Sequence, residues 1–368
     1  MEAEMLVDSG NFMQKLEEEV VKAKQSVFIQ AMSFEGDEAG RSLLDVLLKS
    51  KAKDIRLCVD SYSKLVINDQ FIYSLRYLKS AKFRVTVRNT KQFIEDAKSK
   101  GIKIKYTNPL GFLFLKYPRR NHKKMVVIDE EKLFIGGINF SNHNFAWHDF
   151  MLLLESKELA EQSHNDFLKT WKGKNQSVKL DFRNSELYFL DGYKSKYIYD
   201  ELFSHIGNAQ KSISILSPYV SNPLLSFIKT HVNKDVEVKI ISPAENNKNI
   251  FKHFLVRELK HDYFKLMEYQ KGMSHLKAIL IDDEKIIIGS SNFDFVSYYF
   301  EQEIVLVTKE LKAVEEFKNK IFKPDLSHSI ETNTKSSEGS VYFSFILQLA
   351  EKILASIAKM VFKLPKNS

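Results

Sequence analysis

Between residues 12 and 29 the apolar positions first recur every three to four residues, at Phe12, Leu16, Val20 and Ala23. They then crowd together at Ser26-Val-Phe-Ile29. That is the pattern of an amphipathic helix followed by a buried strand. The same succession returns at Ile198, Leu202, Ile206 and Ala209, where AQKSISIL answers AKQSVFIQ at an offset of 186 residues. A helix carrying Leu43-Leu44 and a strand opening at Asp54-Ile55 are matched by Leu224-Leu225 and Asp235-Val236 at an offset of 181. Strands separated by helical patterns read as βαβ units, so each half is expected to hold a mainly parallel or mixed sheet. Between Asp60 and His122 the offset falls from 181 to 153, so the first half carries about 28 surplus residues. An extra helix and strand around Phe71 to Val87 would fill them.

These patterns divide the chain into a first lobe over residues 1–185, with an insertion near 63–90, and a second lobe over 186–325. SHSIETNTKSSEGS is polar, Ser/Thr-rich and without periodicity, which predicts a linker over 326–340. Over 341–364 the stripe Phe343, Ile346, Leu347, Ala350, Ile353, Leu354, Ile357, Val361 and Leu364 predicts an amphipathic helix stopped by Pro365. Ser344, Gln348, Glu351, Lys352, Ser356, Lys359 and Lys363 fall on its other face. Lysines beside a broad apolar stripe suit a helix lying on an anionic membrane. Docking of the stripe onto the lobes, or pairing with a second copy, is the alternative, and the long polar tether argues against it.

Composition narrows the class. With 44% hydrophobic and 28% charged residues the chain reads as globular, and a net charge of +8 favours anionic partners, nucleic acid or acidic lipid. A single cysteine, Cys58, excludes an intramolecular disulfide and a cysteine cluster, and fits a reducing compartment. The acidic N-terminus lacks the features of a secretory signal, and no run of 18 uncharged apolar residues occurs. The expectation is a cytoplasmic protein whose membrane contact is peripheral.

The two halves align best over NHKKMVVIDEEKLFIGGIN and SHLKAILIDDEKIIIGSSN. His122, Lys124, Asp129, Gly136 and Asn139 share their spacing with His275, Lys277, Asp282, Gly289 and Asn292. Side chains two apart on a strand share a face, so each half offers an imidazole and an ammonium together. One histidine can attack phosphorus while the other protonates the leaving oxygen and later activates the acceptor. Lys124, Lys277, Asn139 and Asn292 would stabilise charge on the non-bridging oxygens. Gly136, Gly137, Gly289 and Ser290 are small enough to let backbone approach a phosphate. Asp129 and Asp282 complete the motif, but their position where an apolar strand meets a polar turn favours turn capping over catalysis. Lysines beside the histidines would repel a divalent cation, so neither a metal nor another cofactor is expected.

This duplicated His-x-Lys-x4-Asp-x6-Gly-x-x-Asn pattern resembles the phospholipase D superfamily, most of all the bacterial cardiolipin synthases, over about residues 11–310. The resemblance implies two pseudo-twofold-related α/β/α lobes and a phosphatidyltransferase acting through a phosphohistidine on a glycerophospholipid such as phosphatidylglycerol. It implies that His122 is the nucleophile and His275 the general acid, and that Asp149, in Trp147-His148-Asp149, and Glu303 orient the imidazoles. SPYVSNPLLSFI is similar to the Pro-Tyr segment that opens the family's second half. Lys116, Arg119, Arg120 and Lys123 form a basic cluster that suits a nucleic-acid backbone, or else a solvated loop, and Arg119 and Arg120 are taken as substrate-binding together with Gly137 and Ser290. The superfamily also holds hydrolases and nucleases, so a basic cluster leaves nucleic acid as the alternative substrate. The apolar run Leu110-Gly-Phe-Leu-Phe-Leu115 beside it favours lipid. Nothing in the sequence decides between water and an alcohol as acceptor, or fixes the oligomeric state.

Overall fold

The apolar runs of the first half form strands β1 (Glu2–Val7), β2 (Ser26–Ala31), β3 (Asp54–Asp60), β4 (Val66–Ile67), β5 (Gln70–Phe71), β6 (Lys103–Thr107), β7 (Met125–Ile128), β8 (Lys132–Gly136) and β9 (Phe150–Glu155) in a computed structural model that describes residues 2–111, 117–332 and 340–361. β4 and β5 make a small hairpin. The other strands form one mixed sheet in the order β1-β9-β8-β7-β2-β3-β6, with β2, β3 and β6 parallel and the remainder antiparallel. The helices are α1 (Asp8–Lys22), α2 (Glu38–Leu48), α3 (Leu75–Lys79), α4 (Ala81–Ser99), α5 (Asn142–Phe145) and α6 (Lys157–Trp171). β2 is buried throughout because it is covered on both faces. Val27, Ile29 and Ala31 pack with Phe12, Leu16 and Val20 of α1 and with Leu43, Leu47, Phe93 and Ile94, while Phe28 stacks on Phe167 of α6 at 4.6 Å. Polar side chains start the helices that frame this core. Asp37 accepts from the Gly40 amide at 3.2 Å to open α2, and Ser80 accepts from Phe83 at 3.1 Å to open α4.

The second half repeats the plan. Its strands are β10 (Val178–Asp181), β11 (Ser185–Asp191), β12 (Ser212–Leu216), β13 (Glu237–Pro243), β14 (Lys265–Tyr269), β15 (Ala278–Ile281), β16 (Lys285–Gly289), β17 (Gln302–Thr308) and β18 (Ser329–Glu331), in the order β10-β11-β17-β16-β15-β12-β13-β14-β18. The inner seven, β11 to β14, correspond strand for strand to the first sheet. Register fixes the match residue by residue. Gln30 faces Met125 as Leu216 faces Ala278, and Gly136 faces Met151 as Gly289 faces Val305. The helices are α7 (Lys196–Gly207), α8 (Leu224–His231), α9 (Asn249–Glu258), α10 (Phe295–Phe300), α11 (Leu311–Phe317), α12 (Lys323–Ser327) and α13 (Val341–Val361). The first four enclose one cluster with Leu202, Leu225, Phe254 and Phe295. The expected α/β/α lobes with mixed sheets are thus present.

Several expectations are corrected. The compact units are Met1–Asn175 and Gln176–Ser368, so the division lies ahead of residue 185, because β10 pairs with β11 of the second sheet. The insertion is not one helix and one strand but the β4–β5 hairpin, α3 and a lengthened α4, with its own small core of Leu65, Val66, Ile67, Ile72, Phe83 and Val87. The expected linker 326–340 opens in ordered structure, since β18 pairs with β14; residues 333–339 lie outside the described residues.

The C-terminal helix is present, but its faces are not divided as the sequence stripe divides them. Leu347 joins the second-lobe core and Ala358 packs with Phe300, Leu354 and Ile357, while Ser344 is also buried. Asn222 donates to Glu351 at 3.1 Å, and Phe343 stacks on His253 at 5.2 Å. Tyr342, Phe345, Leu349, Ile353 and Met360 are left exposed, beside Lys352 and Lys359. By length and composition Val341–Met360 is sufficient to cross a membrane, which the uncharged-run criterion did not register. Val361 ends the described helix, and Lys363 and Leu364 lie outside the described residues.

Candidate active site

In each lobe the motif histidine and lysine lie in extended chain just before a strand, at the carboxyl end of the parallel strands. His122 and Lys124 precede β7, and His275 and Lys277 precede β15, rather than sitting within those strands as their alternation suggested. Between His122 and Lys124, Lys123 reaches Asp166 on α6 at 2.6 Å. Lys124 donates to the His122 carbonyl at 2.7 Å, and Lys277 donates to the His275 carbonyl in the same manner. The Lys277 ammonium also lies 2.8 Å from His275 Nδ1. All four side chains are buried. In the second lobe Tyr219, from the SPYVSNPLLSFI segment, meets the His275 ring edge-on at 6.0 Å and carries Lys248 4.5 Å over its own face.

A carboxylate follows each motif at an equivalent place. Gly137 donates to the Phe150 carbonyl at 3.1 Å and Ser290 to that of Ile304 at 3.0 Å, which makes Asp149 and Glu303 counterparts. Gly137 makes room for the carboxylate rather than for a phosphate: a Cβ there would stand 2.3 Å from Asp149 Oδ1. Ser290, in the same position, donates its hydroxyl to Glu303. Asp149 also accepts from the Phe150 amide at 2.9 Å, and both acids are buried.

Asp129 and Asp282 take the capping role. Each lies in the hairpin turn after its strand, with φ near 53°. Asp129 accepts from the amides of Lys24, Gln25 and Ser26, each at 2.8 Å, and Asp282 from those of Gln210, Lys211 and Ser212 at 2.7–2.9 Å. They anchor the first strand of each βαβ unit. Burial pushes the Asp282 carboxyl up, but the three amides prevail and hold it below the usual range. The asparagines differ. Asn139 Oδ1 accepts from Met32 and Ser33 at 3.1 and 3.4 Å, whereas buried Asn292 Oδ1 has no partner among the described residues.

Arg120, expected to bind substrate, is buried and pairs with Asp60 at 2.7 Å. Asp60 also accepts from Asn121, Tyr62 and Asn108, so it ties the end of β3 to the residue before His122. Burial pushes the Asp60 carboxyl up to about 6 against the pull of Arg120. Arg119 is half-buried, Lys123 serves the Asp166 pair, and Lys116 with Phe112 to Leu115 lies outside the described residues. Sequence reasoning missed Asp60, Asn121 and Asp166. Only the last residue of an apolar strand being acidic hinted at Asp60.

Residues 16–171 and 202–324 match the sequence profile of the family described as "Cardiolipin synthase, PLD-like domain". The chain is 25% identical over 324 residues to probable cardiolipin synthase YwiE of Bacillus subtilis (strain 168), and 26% identical over 355 residues to cardiolipin synthase 1 of Bacillus cereus. These alignments cover 80% and 86% of this chain, and the chain spans 60% and 65% of the two relatives. Among solved structures, phosphatidylserine synthase of Haemophilus influenzae Rd KW20 shares the fold with a TM-score of 0.75 at 16% identity, over 98% of this chain and 94% of that one.

Proposed function

Because the chain belongs to the cardiolipin synthase, phospholipase D-like domain family, we propose that it is a phosphatidyltransferase that works on glycerophospholipid through a covalent phosphohistidine. The observation that carries the reading is the duplicated constellation: in both lobes a buried lysine folds back onto the carbonyl of the motif histidine, with a buried carboxylate at the start of the third strand after it. In this mechanism His122 attacks the phosphodiester phosphorus, a P–N bond forms, and the P–O bond to the headgroup alcohol breaks. His275 gives its proton to the departing oxygen. It then takes the proton of an incoming alcohol, whose oxygen displaces His122 and restores a phosphodiester. Lys124, Lys277 and the Asn292 amide supply positive charge and donors to the non-bridging oxygens. Asp149 and Glu303 orient imidazoles and favour their protonated forms.

Incubation with phosphatidylglycerol, phosphatidylethanolamine or single-stranded DNA, with products read by mass spectrometry, tests the substrate class. Phosphatidylglycerol is expected to give cardiolipin and glycerol, in the presence of EDTA as in its absence. Efficient DNA cleavage without a lipid product would transfer the reading to a nuclease. The lipid reading also supports contact of the outward row of α13, Phe345, Leu349 and Ile353, with an anionic membrane, since exposed apolar side chains flanked by lysines suit that interface. Replacing the three by serine is expected to weaken sedimentation with anionic liposomes. Unchanged sedimentation would leave α13 a structural helix of the second lobe.

A further inference from the structure

The two lobes differ most in the segment joining their second and third parallel strands. Between β13 and β14 the chain runs through residues 244–264, which hold four Lys or Arg and three acids, a net +1. The matching segment between β3 and β6 covers residues 61–102. Its first part, 61–91, holds seven Lys or Arg and one acid, Asp69, a net +6. Most of the excess positive charge of the whole chain is thus equalled by one insertion. Lys79, which ends α3, and Lys82, Arg84, Arg88 and Lys91 of α4 are all exposed, whereas Phe83, Val87 and Thr90 of α4 are buried. Ahead of them Phe71, Tyr73 and Leu75 are 42%, 63% and 73% exposed, with Val85 following at 50% on α4.

An exposed apolar group of this kind is uncommon on a surface that serves only solubility. It is not the fraying of a loose loop, because the segment has its own core and the hairpin is fastened to the lobe. The Asn68 amide donates to both carboxylate oxygens of Glu35 at 3.0 and 3.1 Å. At its other end the insertion begins from Asp60, whose carboxylate accepts from Tyr62 and from Asn121, the residue before His122.

We infer that residues 61–91 are a docking platform for the surface of an anionic lipid bilayer, with Phe71, Tyr73 and Leu75 entering the interface and Lys79 with the cations of α4 holding phosphate headgroups. Aromatic rings and cations together also suit single-stranded nucleic acid, but that use calls for rings to stack on bases. Here the most exposed member is the aliphatic Leu75, and the Phe71 ring meets Tyr73 edge-on at 5.5 Å. Interfacial aromatics next to aliphatic side chains and clustered lysine and arginine fit a bilayer. The platform places the membrane beside the motif of the first lobe, where a phospholipid substrate would leave it. This role deepens the phospholipid reading above and rests on it only for the choice of lipid over nucleic acid.

The test uses the full chain, with α13 intact, and vesicles of equal phosphatidylglycerol and phosphatidylcholine. One variant combines Phe71→Ser, Tyr73→Ser and Leu75→Ser; a second combines Lys82→Gln, Arg84→Gln and Arg88→Gln. Each is expected to lower vesicle partitioning about tenfold or more. The second should also flatten the dependence on sodium chloride, and turnover of a monomeric short-chain phosphatidylglycerol should stay at the wild-type rate in both. Unchanged partitioning in both variants overturns the inference, as does loss of short-chain turnover, which would place the insertion in the catalytic site. Reduced single-stranded DNA binding with unaltered vesicle binding would assign the surface to nucleic acid and overturn it too. A wild type that turns over no phospholipid yet loses vesicle binding in both variants would sink the proposed activity and leave the platform standing.

Discussion

The first lobe supports its histidine and lysine with buried charge, and the second supports the same pair with apolar side chains. By strand register Gln30, Asp60, Arg120 and Lys123 occupy the places of Leu216, Pro243, Met273 and Leu276. Lys123 and Asp166 are fully buried and 2.6 Å apart, whereas Leu276 is simply buried. One chain therefore contains both solutions to one structural problem. What the motif needs beneath it is filled volume and a fixed backbone. Charge satisfies that need only if every buried charge keeps its partner, because the desolvation of two ions rivals their attraction.

The comparison stops at the chemistry, and the largest effect should appear there. His122→Ala and His275→Ala are each expected to reduce phosphatidyl transfer at least about a hundredfold, the scale of losing an acid–base or nucleophilic group. Trapped phosphohistidine should map to position 122. A trapped adduct at 275 would exchange the roles of the lobes, and turnover near wild type in both variants would end the two-histidine mechanism.

The supports come next. Lys123→Ala strands the Asp166 carboxylate and should cost about 3–5 kcal/mol in urea unfolding. Lys123→Leu combined with Asp166→Leu copies the second lobe's solution and should recover most of that loss. A double variant as unstable as the single one would show that the lobes are not interchangeable at this place.

A pH experiment sharpens the contrast between Asp60 and Pro243. With its carboxyl pushed up to about 6 in the folded state, Asp60 keeps a proton that the unfolded chain releases near pH 4. Its contribution to stability is full below about pH 4 and is lost as pH rises through 6. The stability of wild type relative to Asp60→Asn should fall across that window, by about 2–3 kcal/mol at most. Parallel pH profiles would remove Asp60 as the source of the difference.

Where the lobes agree, the effects should be small and equal. Asp129→Asn and Asp282→Asn each weaken three amide bonds to a carboxylate and should cost about 1–2 kcal/mol, with turnover per folded molecule unchanged. A collapse of turnover at full stability in either would return that aspartate to the chemistry.

The parts legible in the sequence were those whose information is local. The helix-then-strand periods, the duplicated motif spacing and the turn position of Asp129 and Asp282 depend on neighbours a few residues apart, and the structure follows them. The supports were not legible, because each joins residues brought together only by the sheet. Lys123 finds Asp166 across a strand and a helix, so in sequence it passed for one more cation in a basic loop. Arg120 passed for a phosphate ligand for the same reason, since its partner Asp60 ends a different strand. Gly137 reads in the sequence as a small residue that admits a phosphate, but the group standing where its Cβ would be is the Asp149 carboxylate just ahead of β9, invisible until the strands are in register. The C-terminal stripe misled because periodicity states that two faces differ, not which of them meets protein.

Strand β18 gives the tail a short leash. With Ser329–Glu331 pinned to β14, only residues 333–339 separate Thr332 from Ser340. Even fully stretched, such a run reaches at most about 30 Å. A helix that left its seat on the second lobe could not wander; it would remain at a high effective concentration around that seat and return quickly. Attachment of α13 to any outside surface would hold the whole second lobe within one protein diameter of it, as a short mooring and not a long tether.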